Sequence, residues 1–186
     1  MGNTDLGNHE TSANGPVWIN YLTTKYDAMP VLTYNFAVGG ASIPDNYTYQ
    51  VNNLYQPKYT TNEFWLGSNT LHLSWIGIND CSDCWLQGVN LTAISTRLNH
   101  YSHLLETFYQ IGARNLFIVN VPPLDRSPYI LGGGSKSSGH YKSCVDNFNE
   151  NLPSIVNTWQ ANHPDVSYLS SIRRIWILIQ DNRLPS

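Results

Sequence analysis

Charge is what this 186-residue chain has least of. Only 12% of its residues are Asp, Glu, Lys or Arg, about half the usual ~25%. Ten Lys and Arg stand against thirteen Asp and Glu, for a net charge of −3. No run of basic residues exists to neutralise phosphates, so a nucleic-acid-binding domain is excluded. The nearest basic cluster, Arg173-Arg174, stands alone. No apolar stretch reaches the ~18–20 residues a membrane helix needs, and Met1-Gly2-Asn3-Thr4-Asp5 has neither the basic start nor the apolar run of a signal peptide. There is no internal repeat, heptad array or low-complexity tract. Cysteine is scarce too, at three residues.

What fills the chain is apolar and neutral polar. Hydrophobic residues make up 41%, with six Trp and twelve Tyr, which excludes a disordered chain. Asn, Ser, Thr and Tyr take the place of charge, a composition that suits a secreted protein. Two glycosylation sequons, Asn46-Tyr47-Thr48 and Asn90-Leu91-Thr92, agree with it. One domain accommodates this length.

Apolar runs of strand length alternate with longer helical stretches. Asn14-Gly15-Pro16 opens a first helix, in which Val17, Trp18, Tyr21, Leu22 and Tyr26 recur at helical spacing. Val31–Phe36 reads as a strand running into Val38-Gly39-Gly40-Ala41. A short helix is predicted over about 47–59, interrupted by Pro57. Leu71–Ile78 is nearly all apolar, as in a strand buried on both faces. A helix follows over about 90–111, ended by Gly112. Leu116–Val121 is another strand, and a long loop over 122–139 carries Gly132-Gly133-Gly134. The next helix is predicted over about 141–162, with Pro153 bending it or delaying its start. Val166–Leu169 closes the pattern. Strands alternating with helices argue a parallel α/β sheet, and such sheets place ligands beyond the carboxyl ends of their strands.

Two strand ends carry residues suited to chemistry. In Tyr34-Asn35-Phe36-Ala37-Val38-Gly39-Gly40-Ala41-Ser42, glycines let the backbone turn with its N–H groups facing a crevice. In Trp75-Ile76-Gly77-Ile78-Asn79-Asp80, the Asn79 amide can donate to a developing negative oxygen. Asp80 is expected to accept local backbone N–H bonds in a turn.

Together these segments resemble the SGNH, or GDSL-type, ester hydrolases, and most of all the fungal acetylesterases of carbohydrate esterase family 16. Asn14-Gly15-Pro16-Val17-Trp18 and Asn120-Val121-Pro122-Pro123-Leu124-Asp125-Arg126-Ser127-Pro128 complete the match, which spans roughly residues 10–170. The resemblance implies a flavodoxin-like three-layer α/β sandwich with a parallel sheet. It also implies acyl transfer from a small ester or acetylated saccharide, by a monomeric extracellular enzyme needing no cofactor and no metal. By the same carry-over, the Gly40 backbone N–H and the Asn79 side chain are oxyanion-hole donors, and Asn35 braces the turn. Trp65 and Trp85, near loops, are candidates for flat contacts with a sugar.

The chain also departs from that pattern. No Gly-Asp-Ser supplies a nucleophile, and no apolar strand precedes Asn14, so the sheet is expected to lack its first strand. No His stands three residues after an Asp. His163 follows Gln160 and reads as a helix-end residue. Residues 1–170 are therefore read as one incomplete domain and 171–186 as a divergent tail, whose Ile175–Ile179 could enter the vacant strand position. Little or no turnover is expected of such a chain, and a non-catalytic carbohydrate- or lipid-binding relative is the alternative. Cys81, Cys84, His140 and Cys144 have ligand types for zinc, but a disulfide among the cysteines or reduced core thiols fit them too. His72, on a strand, is expected in the core.

Overall fold

A computed structural model describes residues 17–25, 31–60 and 65–171. The chain divides into two compact units, Met1–Ala37 and Val38–Ser186.

In the first unit, α1 (Trp18–Asn20) continues as a π-helical turn over Tyr21–Lys25. Val17, in extended conformation, marks its start. The sequence predicts a strand over Val31–Phe36. The structure shows a bridge at Tyr34 and no strand over these residues, and Val31 and Leu32 are exposed.

The second unit holds three parallel strands: β1 (Leu71–Trp75), β2 (Asn115–Val119) and β3 (Ser167–Ser171), in the order β1-β2-β3. Leu71 pairs with Asn115 and Trp75 with Val119, while Asn115 pairs with Ser167. Helices α3 (Ile78–Leu86) and α4 (Leu91–Gln110) join β1 to β2. The turn Leu124–Arg126, α5 (Pro128–Leu131) and α6 (Gly134–Ala161) join β2 to β3. This is an α/β architecture with an open parallel sheet, consistent with a flavodoxin-like fold. Among the described residues the sheet has these three strands, and residues 172–186, with the predicted strand insertion, lie outside them.

The core lies on one face of the sheet. Ile94, Leu98, Tyr101, Leu104, Leu105 and Phe108 form the buried stripe of α4, at the 3–4 residue spacing of one helix face. In α6 the stripe is Tyr141, Cys144, Val145, Phe148, Leu152, Val156 and Trp159. Helix α4 meets His72 through Phe108 and Ser74 through Tyr101, and Leu152 and Val156 of α6 line a cavity with Ile118. The Tyr101 and Tyr47 hydroxyls meet Ser74 Oγ at 2.8 and 2.6 Å. The expectation of a β1 buried on both faces fails. Leu71 is 57% exposed and Trp75 36%, because the strand's polar residues, not its apolar ones, point at the helices.

Proline and glycine are also used differently from the expectation. The helix predicted over about 47–59 is present: a π-helical stretch over Gln50–Tyr55 runs directly into α2 (Gln56–Thr60), so Pro57 lies within continuous helix, where the hydrogen-bonding pattern changes from π to α. The loop over 122–139 is largely helical, and α6 begins already at Gly134 and runs through Pro153. Buried residues on both sides of Pro153 outweigh its lost hydrogen bond.

Candidate active site

The site is built where β1 turns into α3. Gly77 makes that turn at φ +117°. A Cβ there would come 2.5 Å from Phe148 Cζ and 2.6 Å from Val121 Cγ2, so both backbone conformation and space demand glycine. The turn sets Asn79 and Asp80 in the first turn of α3.

These two neighbours hold one loop at two points. Asn79 Nδ2 donates to the Ala41 carbonyl at 2.9 Å. The Ile43 N–H is shared between Asp80 Oδ1 and Oδ2 at 3.1 and 3.2 Å. Asp80 is completely buried. The sequence predicts local partners for it; its partners are instead Ile43, 37 residues away, and Arg97. Arg97 Nη1 stands 3.4 Å from Asp80 Oδ1 and donates to the Asp80 carbonyl at 3.2 Å, while Nη2 pairs with Asp83 at 2.8 Å. Burial pushes the Asp80 carboxyl up to about 6, against the pull of the Ile43 N–H and Arg97.

The loop so held passes from exposed to buried within a few residues. Val38, Gly39 and Gly40 are exposed, and Ala41, Ser42 and Ile43 are buried. Ala41 N–H donates back to Val38 O at 3.3 Å, closing a tight turn with Gly40 at φ +76°. Open space surrounds Gly40, with no atom within 4 Å of where a Cβ would lie. The amide of Asn79 is thus bonded one residue beyond Gly40. An Asn side chain carries two N–H hydrogens, and the bond to Ala41 takes one of them.

The other residues singled out in the sequence scatter. Trp85 lies two turns along α3 from Asn79, half-buried, edge-on to Tyr141 with centroids 5.8 Å apart. Trp65 does not join them. It packs on His72 and Tyr59 at 5.3 and 5.1 Å and donates Nε1–H to Tyr59 O. That is the amino end of β1, whereas Asn79 follows its carboxyl end; Trp65 is an aromatic closing the core, not a neighbour of the glycine turn. Asn35 belongs to the first unit, where its Oδ1 accepts the Ala37 N–H at 2.9 Å.

The cysteine alternatives resolve. Cys84 and Cys144 form a disulfide joining α3 to α6, and Cys81 is a free, buried thiol. Burial pushes that thiol far up. The zinc reading falls with the disulfide, which consumes two of its four ligands, and no metal-ligand cluster occurs among the described residues. His72 is in the core as expected, with Nδ1 2.8 Å from the Tyr55 hydroxyl. Its burial lowers the imidazole to about 4. His163 sits past the end of α6, stacked on Trp159 and 3.0 Å from Glu106.

Sequence reasoning missed Arg97 as the partner of Asp80, and the Tyr47–Ser74–Tyr101 hydroxyl cluster. Neither has a spacing signal, since both join residues from separate elements.

Comparison with known proteins adds two findings. The model of the GDSL-like lipase/acylhydrolase family matches residues 2–179. An acetylesterase of Thermothelomyces thermophilus is 28% identical over 159 residues, covering 76% of this chain and 52% of the relative. The chain therefore spans about half the length of that curated relative.

Proposed function

The chain belongs to the GDSL-like lipase/acylhydrolase family, and on that premise we propose that it is an ester hydrolase by descent, built for acetyl or other short acyl esters, sugar esters among them. The Gly40 backbone N–H and the Asn79 amide are its oxyanion donors. One observation carries this reading: the Asn79 amide is bonded at 2.9 Å to the carbonyl of the residue after Gly40, so two N–H donors flank one exposed turn. The acetylesterase relative supports the acyl class.

In acyl transfer, negative charge gathers on the ester oxygen as the tetrahedral intermediate forms. Donors fixed beforehand stabilise that charge without reorganising, at ~2.7–4 kcal/mol each. Here the fixing is done by α3, through Asn79 on Ala41 and Asp80 on Ile43. Trp85, on the same helix, is the candidate platform for the alcohol portion of the substrate, and Asn35 braces the chain ahead of the turn. The 186 residues contain no Gly-Asp-Ser and no Asp-x-x-His. Turnover by this polypeptide is accordingly small, the residue of catalysis that donors alone sustain. The Cys84–Cys144 disulfide supports an extracellular location.

The test is an NMR titration of the ¹⁵N-labelled chain with methylphosphonate, a tetrahedral oxyanion. The Gly40 amide and the Asn79 side-chain amide should shift together with one affinity, and Asn79→Ala should weaken the Gly40 response at least tenfold. Signals that stay still, or move independently, overturn the assignment. Saccharide binding without any p-nitrophenyl acetate hydrolysis above the Asn79→Ala background would favour a binding protein that has kept the crevice.

A further inference from the structure

We propose that Asn90 is an attachment site for an N-linked glycan. Asn90-Leu91-Thr92 is an acceptor sequon, and the fold presents it in a form a glycan can use. Asn90 is the exposed N-cap of α4. Its Oδ1 accepts the Ala93 N–H at 3.1 Å, and its Nδ2 donates to Gln87 Oε1 at 3.0 Å. One Nδ2 hydrogen is left over, and a glycosyl group replaces one such hydrogen. The capping oxygen is untouched, so the modified side chain still starts the helix. Thr92 is exposed as well, with no side-chain partner among the described residues.

The turn that carries Asn90 is open and firmly seated. Gly88 adopts φ +75° with nothing within 4 Å of where a Cβ would lie, and Val89 takes φ +68°. The N–H groups of Val89 and Asn90 both donate to the Cys84 carbonyl, at 2.9 and 3.1 Å. Cys84 is itself bonded to Cys144. Disulfides and N-glycans are formed along one secretory route, and here the acceptor Asn90 is hydrogen-bonded through its N–H to the carbonyl of a disulfide cysteine. Leu86 and Leu91, 72% and 38% exposed, flank the site in sequence and offer apolar surface on which the face of a first sugar ring can rest.

The second sequon is less suited. Asn46 is exposed, but Tyr47 is buried. The Thr48 hydroxyl donates to Ile43 O at 2.7 Å and meets His100 Nε2 at 3.0 Å. Asn46 also lies three residues from Ile43, which Asp80 holds, so a glycan there crowds the candidate active site.

The transfer balances without oxidation. The donor is a lipid-pyrophosphate-linked oligosaccharide. A bond forms between Asn90 Nδ2 and its anomeric carbon. The bond from that carbon to the pyrophosphate oxygen breaks, the pyrophosphate leaves with the electron pair, and Nδ2 gives up one proton.

The experiment translates the full chain behind a secretory leader in the presence of rough microsomes. The protease-protected protein is treated with a peptide N-glycosidase in ¹⁸O water, which marks each glycosylated Asn as labelled Asp, and its peptides are mapped. Wild type and Asn46→Gln should carry the label at position 90. Thr92→Ala, which keeps the Asn90 cap, should lose it while retaining the wild-type circular dichroism. Translocated protein with unlabelled Asn90, or with the label confined to Asn46, overturns the proposal.

Discussion

Replacing Arg97 by Met strands the buried charge of Asp80. In the wild-type protein that carboxyl is lifted from its ordinary 3.8 to about 6. At 1.36 kcal/mol per pH unit, holding it ionised at pH 7 already costs about 3 kcal/mol. Its contribution to stability is full below pH 3.8 and is lost as pH rises through about 6. Arg97, 3.4 Å away, limits the loss. Breaking a buried pair costs ~3–5 kcal/mol when the stranded charge must stay charged. Here it need not, because the carboxyl can take a proton near neutrality, so the expected loss for Arg97→Met is about 2–3 kcal/mol at pH 7. At pH 4.5 Asp80 is protonated in folded wild type and variant alike, and the loss should fall to about 1 kcal/mol, the lost hydrogen bonds to Asp83 and to the Asp80 carbonyl. In an Asp80→Asn background the same substitution should cost about 1 kcal/mol at either pH, because the coupling belongs to the pair. Urea unfolding followed by tryptophan fluorescence measures all four proteins at both pH values. An Arg97→Met loss that is equal at pH 7 and 4.5, and equal in both backgrounds, refutes the reasoning.

Other consequences are as direct. His72, held neutral by burial with its pKa at about 4, should withdraw about 3 kcal/mol as pH falls from 6.5 to 4, since only the unfolded chain takes up the proton. Asp80 acts oppositely in nearly the same window. His72→Gln should therefore gain stability on acidification and Asp80→Asn lose it; thermal unfolding midpoints of both variants that move in the same direction between pH 7 and 4 contradict this. Gly77→Ala should lose about 3 kcal/mol or more, from a Cβ forced against Phe148 and Val121 at φ +117°, and a midpoint within 1 °C of wild type would show that the turn relaxes. Cys84→Ser with Cys144→Ser opens a loop of 60 residues and should cost about 4 kcal/mol by chain entropy. Iodoacetamide should then label Cys81 in the native wild type no faster than global unfolding permits.

How much was legible beforehand varies residue by residue. The helix α4 was legible over about 90–111, and its end at Gly112, because helical propensity and left-handed backbone preference are local properties. The glycine turn at Gly40 and the strand end ahead of Asn79 were legible, since turn chemistry is local too, whereas the strand expected ahead of Gly40 is not formed. The Gly132-Gly133-Gly134 stretch misled, because glycine content argues for a loop while Tyr141 to Trp159 anchor a helix strongly enough to extend it back to Gly134. The helix around Pro57 was legible, and the change from π to α hydrogen bonding beside the proline is what the tertiary structure added.

The amino-acid sequence by itself determined the alternation of strands and helices, the glycine turn at Gly39-Gly40, and the kinship with acyl hydrolases. Each rests on backbone sterics or on spacings of a few residues, which are the same in any conformation the chain adopts. Only the tertiary structure decided which face of β1 is buried, that Cys84 pairs with Cys144 rather than Cys81, that Trp65 closes the amino end of the sheet, and that Asp80 spans 37 residues to hold Ile43 while Arg97 offsets its charge. Those outcomes depend on distances between elements and on a dielectric set by burial, and neither exists until the helices have packed against the strands.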